Sequence, residues 1–241
     1  MAAGGIHLTG ERLFSLPFSY FTNSMSFTLI IDFVLILLAI YIYKTSKFIP
    51  TKVQAVFEAV YEFLEDIALS MLKPKIWKKL GWFFFILFLY IIFSNYLGLL
   101  PGIETILINE KSLIKAHNTD INHTLALGVL TLLFIHGYIL FSKGPIKWIK
   151  HFFHTDPLLV LPIFIAVGIL ELALEPVKFF VLGLRLFGNI FAGEVLIASM
   201  LNLPLVAVPF MLFELLVGFL QAFVFTALSI TYLGLLVKEQ H

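Results

Sequence analysis

The chain has 241 residues, of which 60% are hydrophobic and 13% are charged, and its formal net charge is +1. A soluble domain carries about 25% charged residues, and a water-soluble globule of this size cannot cover so much apolar surface. Composition therefore excludes a soluble enzyme, a disordered chain and a nucleic-acid binder, and the absence of cysteine excludes thiol chemistry.

Long apolar runs in the sequence predict one all-α integral membrane domain, residues 1–241, with about five membrane helices. Their predicted ranges are 27–43, 81–100, 124–141, 157–200 and 204–237. The last two helices are longer than a simple crossing needs, so we expect them to be tilted and packed as a hairpin about a turn at residues 202–204.

A sixth helix, over residues 50–72, is predicted between the first two membrane helices. Its apolar residues recur at helical spacing, and this pattern is typical of an amphipathic helix on the cytoplasmic membrane surface or against a partner helix. The polar face of this helix is predicted to carry Gln54, Glu58, Glu62 and Glu65.

Lysine clusters predict the orientation of the chain in the membrane. They follow the first and third membrane helices and precede the second, so that all of them fall on one side. Because positively charged loops stay on the cytoplasmic side, we expect an N-terminus outside and a C-terminus in the cytoplasm.

Arg185 lies near the middle of the fourth predicted membrane helix. An ionised side chain at the bilayer centre costs about 2.5–3.5 kcal/mol on insertion scales. The guanidinium does not lose its proton, so it must face protein or water. We interpret it as a functional residue, and the alternative is a structural ion pair with a neighbouring glutamate.

Helical geometry sorts the other polar residues of this helix. At about 100° per residue, Glu171, Lys178 and Asn189 lie within about 40° of Arg185, whereas Glu194 lies about 180° away. Along the axis, Glu171 is about 21 Å toward the cytoplasm from Arg185, and Glu194 is about 13 Å toward the outside.

The next helix runs back toward the cytoplasm, with Glu214 in its outer half and Gln221 on almost the same face at mid-depth. Glu194 and Glu214 therefore share the outer half of the membrane, while Glu171 and Glu175 lie in the inner half. Carboxylates above and below a fixed cation suggest two aqueous half-pathways with a barrier between them.

Residues 183–194, Gly-Leu-Arg-Leu-Phe-Gly-Asn-Ile-Phe-Ala-Gly-Glu, closely resemble the arginine helix of the subunit a family of F-type ATP synthases. Residues 95–102, 119–125 and 220–225 resemble three further segments of that family, and they follow in the family's order between about residue 95 and residue 240. The arginine helix is a highly specific motif, whereas each of the other segments alone would be weak.

The resemblance implies a stator that forms two offset half-channels beside a rotating ring of c subunits. Arg185 would be the arginine that faces the ring carboxylate, separates the half-channels and makes the carboxylate release its proton. Asn189 and Gln221 match the polar neighbours of that arginine. The remaining matches are Glu194 and Glu214 in the outer half-channel, Asp120 and Asn122 near its mouth, and Glu171 on the inner side.

Two positions depart from the family's pattern. Many members have a histidine at one of the two outer carboxylate positions, which leaves the order of proton transfers here open. A proline common six residues before the arginine is Phe179 in this chain, and Pro176 stands three residues earlier. This second difference concerns the local shape of the helix.

The resemblance further implies a subunit that performs no bond chemistry and binds no cofactor, metal or nucleic acid. Its partners would be the c-ring, peripheral-stalk b subunits and the lipid bilayer of a bacterial inner membrane. Protons are the expected coupling ion, and sodium remains an alternative because the ring supplies the ion site.

Two other classes of protein remain as alternatives. One is a self-contained ion channel or secondary transporter with a midplane Arg–Glu site, although no internal repeat supports it. The other is a membrane-embedded enzyme, but the scattered histidines do not form spaced metal-ligand motifs. Among them, His136 in the third membrane helix is interpreted as a packed, hydrogen-bonded residue, with a minor channel group as the alternative.

Overall fold

The computed structural model describes residues 9–10, 12–15, 20–100, 107–108, 111–112, 115–146, 148, 161–200 and 204–238. The helices in these ranges are α1 (Asn23–Thr45), α2 (Lys52–Leu69), α3 (Pro74–Gly98), α4 (Ile121–Lys143), α5 (Leu161–Met200) and α6 (Pro204–Lys238). A short 3₁₀ helix, His117–Thr119, precedes α4. Residues 157–160 of the predicted fourth membrane helix and residues 202–203 of the predicted turn lie outside the described residues.

Within the described ranges, four helices are long and apolar enough to cross a membrane: α1, α3, α4 and the Val208–Val237 part of α6. The prediction of a mainly helical membrane protein is thereby confirmed. The remaining helix of the predicted five, α5, carries Arg185 and four other charged residues, and its crossing stays a prediction. With 40 residues, α5 is about 60 Å long, about twice the hydrocarbon thickness of a bilayer.

Two short antiparallel pairs of strands depart from the predicted all-α class. Strand β1 (Arg12–Ser15) pairs with β2 (Tyr20–Thr22), and β3 (Leu107–Ile108) pairs with β4 (Lys111–Ser112). Each strand is too short to give a clear period in the sequence, and pairing satisfies backbone groups that no helix uses.

The core is built from α2, α3, α4, α5 and α6, with the closest packing between α4 and α5, between α3 and α6, and between α5 and α6. Its fully buried side chains include Trp77, Phe84, Ile91, Ile135, Phe179, Leu186, Phe225 and Leu233. Other large apolar side chains, such as Leu29 and Phe33 on α1, face outward. In a bilayer such side chains would meet acyl chains rather than water.

Helices α4 and α5 approach each other closely at two glycines. A Cβ on Gly128 would lie 2.5 Å from the Phe179 carbonyl oxygen, and a Cβ on Gly183 would lie 2.6 Å from the Thr124 carbonyl oxygen. Small residues allow such backbone contact between membrane helices. This crossing holds the segment that begins at Gly183, and therefore Arg185, against α4.

Helix α2 begins at the Thr51 side chain, which accepts a hydrogen bond from the Gln54 backbone N–H at 3.4 Å. Gln54 lies on the same face as Glu58, as predicted, but its side chain is buried. The Gln54 amide donates to the Lys47 carbonyl at 3.2 Å and to Glu58 at 2.7 Å, which fixes the corner between α1 and α2. Leu64 is buried in the core on this helix.

Candidate functional site

Arg185 lies on the exposed face of α5. Leu182 and Leu186, about 60° and about 100° around the helix from Arg185, are buried in the core, so the arginine lies beside the buried stripe of α5 and not within it. In the described part of the chain, no carboxylate oxygen lies within 4.0 Å of its guanidinium. The geometry therefore does not support the alternative of an internal ion pair, and the cation is free to meet another molecule.

Asn189 and Gln221 join α5 to α6 one turn beyond the arginine. The Asn189 side-chain N–H donates to Gln221 Oε1 at 2.8 Å. Gln221 is buried, whereas Asn189 lies on the same exposed face as Arg185. The structure thus brings together these two predicted site residues.

An open cleft of about 260 Å³ runs between α5 and α6 from Asn189 away from Arg185. Its α5 wall includes Gly193, and its α6 wall includes Glu214, which is 5% exposed. The Glu214 carboxylate occupies the space that a Cβ at residue 193 would need. The cleft therefore holds a protonatable group beside a space large enough for several water molecules.

Glu194 does not line this cleft. Among the described residues that line it, Glu214 is the one with a carboxylate. Glu194 is half-buried and lies about 100° around α5 from Gly193. The two carboxylates predicted for the outer half thus have different surroundings.

Asp120 is buried at the start of α4 and makes three hydrogen bonds. Its Oδ1 accepts from the Asn122 backbone N–H at 3.0 Å, which caps the helix. Its Oδ2 accepts from Ser24 Oγ at 2.7 Å and from the Gly10 backbone N–H at 3.0 Å. Asp120 therefore ties the starts of α1 and α4 together, while the Asn122 side chain is exposed.

A pair of histidines in close ring contact, which sequence reasoning missed, lies beside Asp120. The ring centroids of His117 and His123 are 3.9 Å apart. His117 is fully buried, with Nε2 2.6 Å from Ser94 Oγ and Nδ1 3.3 Å from Thr28 Oγ1. Burial disfavours the charged imidazole, and the neighbouring His123 adds to this effect, so the pKa of His117 is well below its usual 6.5.

Two buried asparagines connect this region to α6. Asn118 donates to Asn95 Oδ1 at 2.5 Å, and Asn95 donates to the Gly218 carbonyl at 2.9 Å. Gly218 lies one turn after Glu214 and one turn before Gln221 along α6. Asn95 was noted in the sequence only as part of a motif, because its partners come from distant segments.

Toward the predicted cytoplasmic side, Glu171 is exposed and Glu175 is buried. Glu175 Oε1 lies 2.5 Å from Lys178 Nζ, and its Oε2 lies 3.4 Å from His136 Nε2 on α4. The Trp148 indole N–H donates to His136 Nδ1 at 3.1 Å. The spacing of Glu175 and Lys178 is visible in the sequence, but the contact with His136 depends on how α4 packs against α5.

In the described ranges, no group of three His, Cys, Asp or Glu side chains is arranged to hold a metal ion. The arrangement offers a fixed cation, amide groups and carboxylates at different depths. These groups can attract, release and transfer protons.

The profile of the ATP synthase A chain family matches residues 24–234. ATP synthase subunit a of Gloeobacter violaceus is 32% identical over 237 residues, which cover 98% of this chain and 90% of the relative. ATP synthase subunit a of Staphylococcus aureus is 30% identical, covering 97% and 98% of the two chains. ATP synthase subunit a 2 of Vibrio campbellii is 31% identical, covering 81% and 80%.

Proposed function

The chain belongs to the ATP synthase A chain family, and from this premise we propose that it is the proton-translocating stator subunit of an F-type ATP synthase. It forms two offset half-channels beside a ring of c subunits. Arg185 separates the half-channels, so that ion flow drives rotation of the ring and thereby ATP synthesis. The subunit itself makes and breaks no covalent bonds in ATP.

The observation that carries this proposal is the exposed cation on α5, for which the described part of the chain supplies no carboxylate partner. Gly188 and Ala192 lie near Arg185 on the same exposed face and have small side chains. A helix of the ring can approach closely at such residues. A ring carboxylate that reaches the guanidinium is favoured in its ionised form, and it regains a proton after it moves away.

The outer half-channel is proposed to follow the cleft between α5 and α6. Glu214 is its proton-exchanging group, and Asn189 and Gln221 lie at its inner end. Asp120 and Asn122 lie near its mouth. Asp120 shapes the mouth by holding the starts of α1 and α4 together. Glu194 takes part from outside the cleft, by altering the electrostatic potential in this half of the membrane.

The inner half-channel is proposed to open beside the exposed Glu171 on the face that carries Arg185. A proton that enters through one half-channel and leaves through the other crosses the full membrane potential. This transfer yields about 2.3 kcal/mol per 100 mV for each charge. The barrier at Arg185 makes the passage depend on ring rotation.

The membrane arrangement that suits this function has five crossings, with the N-terminus outside and the C-terminus in the cytoplasm. Helices α5 and α6 form a tilted hairpin, which the Asn189–Gln221 hydrogen bond and the Gly193–Glu214 contact support. The partners are the c-ring, peripheral-stalk b subunits and the lipids of a bacterial inner membrane. Protons are the coupling ion.

Proton flux through the whole complex in vesicles tests the proposal. Glu214→Gln keeps the size of the side chain but removes its exchangeable proton, so we expect ATP-driven proton pumping to fall at least about tenfold. Asp66→Asn, at an exposed position on α2, is the matched control and should leave pumping unchanged. Equal pumping by both variants across the pH range would contradict the assignment.

Purification of the chain from its native membrane separates the proposed function from its rivals. A stator should bring down a ring of c subunits and a peripheral-stalk helix. A self-contained channel or transporter would be isolated alone and would move ions in vesicles without the rest of the complex.

A further inference from the structure

A buried ionic cluster lies on α5 between Glu171 and Arg185, and the proposed ion path does not use it. Glu175 is at its centre, with Lys178 bound to one carboxylate oxygen and His136 facing the other. The cluster joins α5 to α4 and, through Lys178, to Tyr232 on α6.

Lys178 is the only basic residue of α5 besides Arg185. It lies about 20° around the helix from Arg185 and about 10.5 Å along the axis. Its side chain is 39% exposed, so its charge can act on the same face as the arginine. An uncompensated ammonium there would be a second cation in the approach to the ring carboxylate.

Glu175 is suited to cancel that charge. Its side chain is 9% exposed, and Oε1 lies 2.5 Å from Lys178 Nζ. A buried carboxylate requires partners, because desolvation of an isolated charge is costly. The Tyr232 ring centroid, 5.7 Å from Nζ, further restrains the ammonium group.

His136 lies beside the second oxygen of Glu175. Trp148 donates its indole N–H to Nδ1, so Nδ1 accepts and the hydrogen of the neutral imidazole is on Nε2. His136 Nε2 lies 3.4 Å from Glu175 Oε2, a close polar contact without hydrogen-bond geometry. The contacts from Trp148 through His136 therefore confine the carboxylate that binds Lys178.

On the basis of the proposed function, we propose that Glu175 is a positioning residue that neutralises Lys178 and that His136 keeps it in place. Arg185 is then the only uncompensated cation that α5 presents to the ring carboxylate. Without Glu175, the ammonium group of Lys178 would keep the ring carboxylate ionised as that carboxylate moves farther along the inner half-channel. Because an attracted carboxylate is harder to protonate, ring rotation would slow.

The test is a charge rescue in the whole complex in vesicles. Glu175→Gln should lower the initial rate of ATP-driven proton pumping by about tenfold. This factor corresponds to a fall of about one unit in the pKa of the ring carboxylate. Lys178→Gln in the same chain removes the exposed charge and should restore at least about half of the lost rate. A double variant as slow as Glu175→Gln would overturn the proposal, and so would an unimpaired single variant.

A second variant keeps the test decisive if Glu175→Gln fails to assemble. His136→Gln leaves the carboxylate but loosens it, so we expect a smaller loss of pumping that Lys178→Gln again reverses. Failure of that reversal would assign the cluster a purely structural role.

Arg185→Ala separates this inference from the proposed function. If Arg185→Ala abolishes pumping while Glu175→Gln has no effect, the inference alone is wrong. If Arg185→Ala still pumps, the proposed function itself is wrong.

Discussion

The carboxylate of Glu214 on α6 lies directly against Gly193 on α5, in the space that any other side chain at residue 193 would occupy. The two helices therefore meet at a glycine where the chain needs room for an acidic group. This contact explains how a glutamate that is 5% exposed can still border the open cleft between the helices.

Gly193→Ala should displace the Glu214 carboxylate and lower proton flux through the complex. Overpacking at such a contact costs about 1–3 kcal/mol. If this cost opposes the position from which the carboxylate exchanges protons, proton flux should fall at least about fivefold. Gly137→Ala is a suitable control, because a Cβ there meets nothing within 4 Å. ATP-driven acidification of vesicles measures both, and equal rates would show that the contact is unimportant for flux.

Gly183→Ala should destabilise the packing of α5 against α4. The new Cβ would approach the Thr124 carbonyl at 2.6 Å, so the helices must separate at a cost of about 1–3 kcal/mol. Thermal unfolding of the detergent-solubilised complex checks this, again with Gly137→Ala as control. An unchanged midpoint for Gly183→Ala would mean that the crossing relaxes without loss.

Gln221→Leu should reduce proton flux more than it reduces stability. The substitution removes the acceptor for Asn189 and leaves the Asn189 amide without this partner, while the buried volume is kept. Loss of one hydrogen bond is worth about 0.5–1.5 kcal/mol, so the complex should still assemble. Parallel measurements of assembled subunit and of pumping rate test the expectation, and a proportional loss of both would contradict it.

His117→Gln should make the stability of the complex less sensitive to acid. The folded-state pKa of His117 is far below its usual 6.5 because of burial. Below pH 6.5 the unfolded chain takes up a proton that the folded chain does not, so stability is full above this pH and is lost as pH falls.

Thermal midpoints at about pH 7.5 and about pH 5.5 measure this effect. The wild-type midpoint should fall on acidification, and the difference should shrink in His117→Gln. A difference of the same size in both proteins would assign the acid sensitivity to other groups.

Sequence patterns predicted the features that depend on local periodicity. The amphipathic helix, predicted over residues 50–72, is Lys52–Leu69, and the common face of Arg185 and Asn189 follows from the helical angle alone. The hydrogen bond between Asn189 and Gln221 joins two residues that were selected because they are polar in apolar helices.

Features that depend on packing between helices could not be read from one sequence. His136 meets Glu175 only because Gly128 and Gly183 let α4 and α5 approach. The ring contact between His117 and His123 likewise depends on the chain path before α4. A signal for the capping role of Asp120 was present, since an aspartate directly before a helix is a common N-cap.

The most direct test of the central claim is ATP-driven proton pumping by vesicles that contain the whole complex with Arg185→Ala. The account predicts that pumping is abolished although the complex assembles, because no carboxylate among the described residues pairs with the exposed cation. Pumping at the wild-type rate by an assembled Arg185→Ala complex would contradict it.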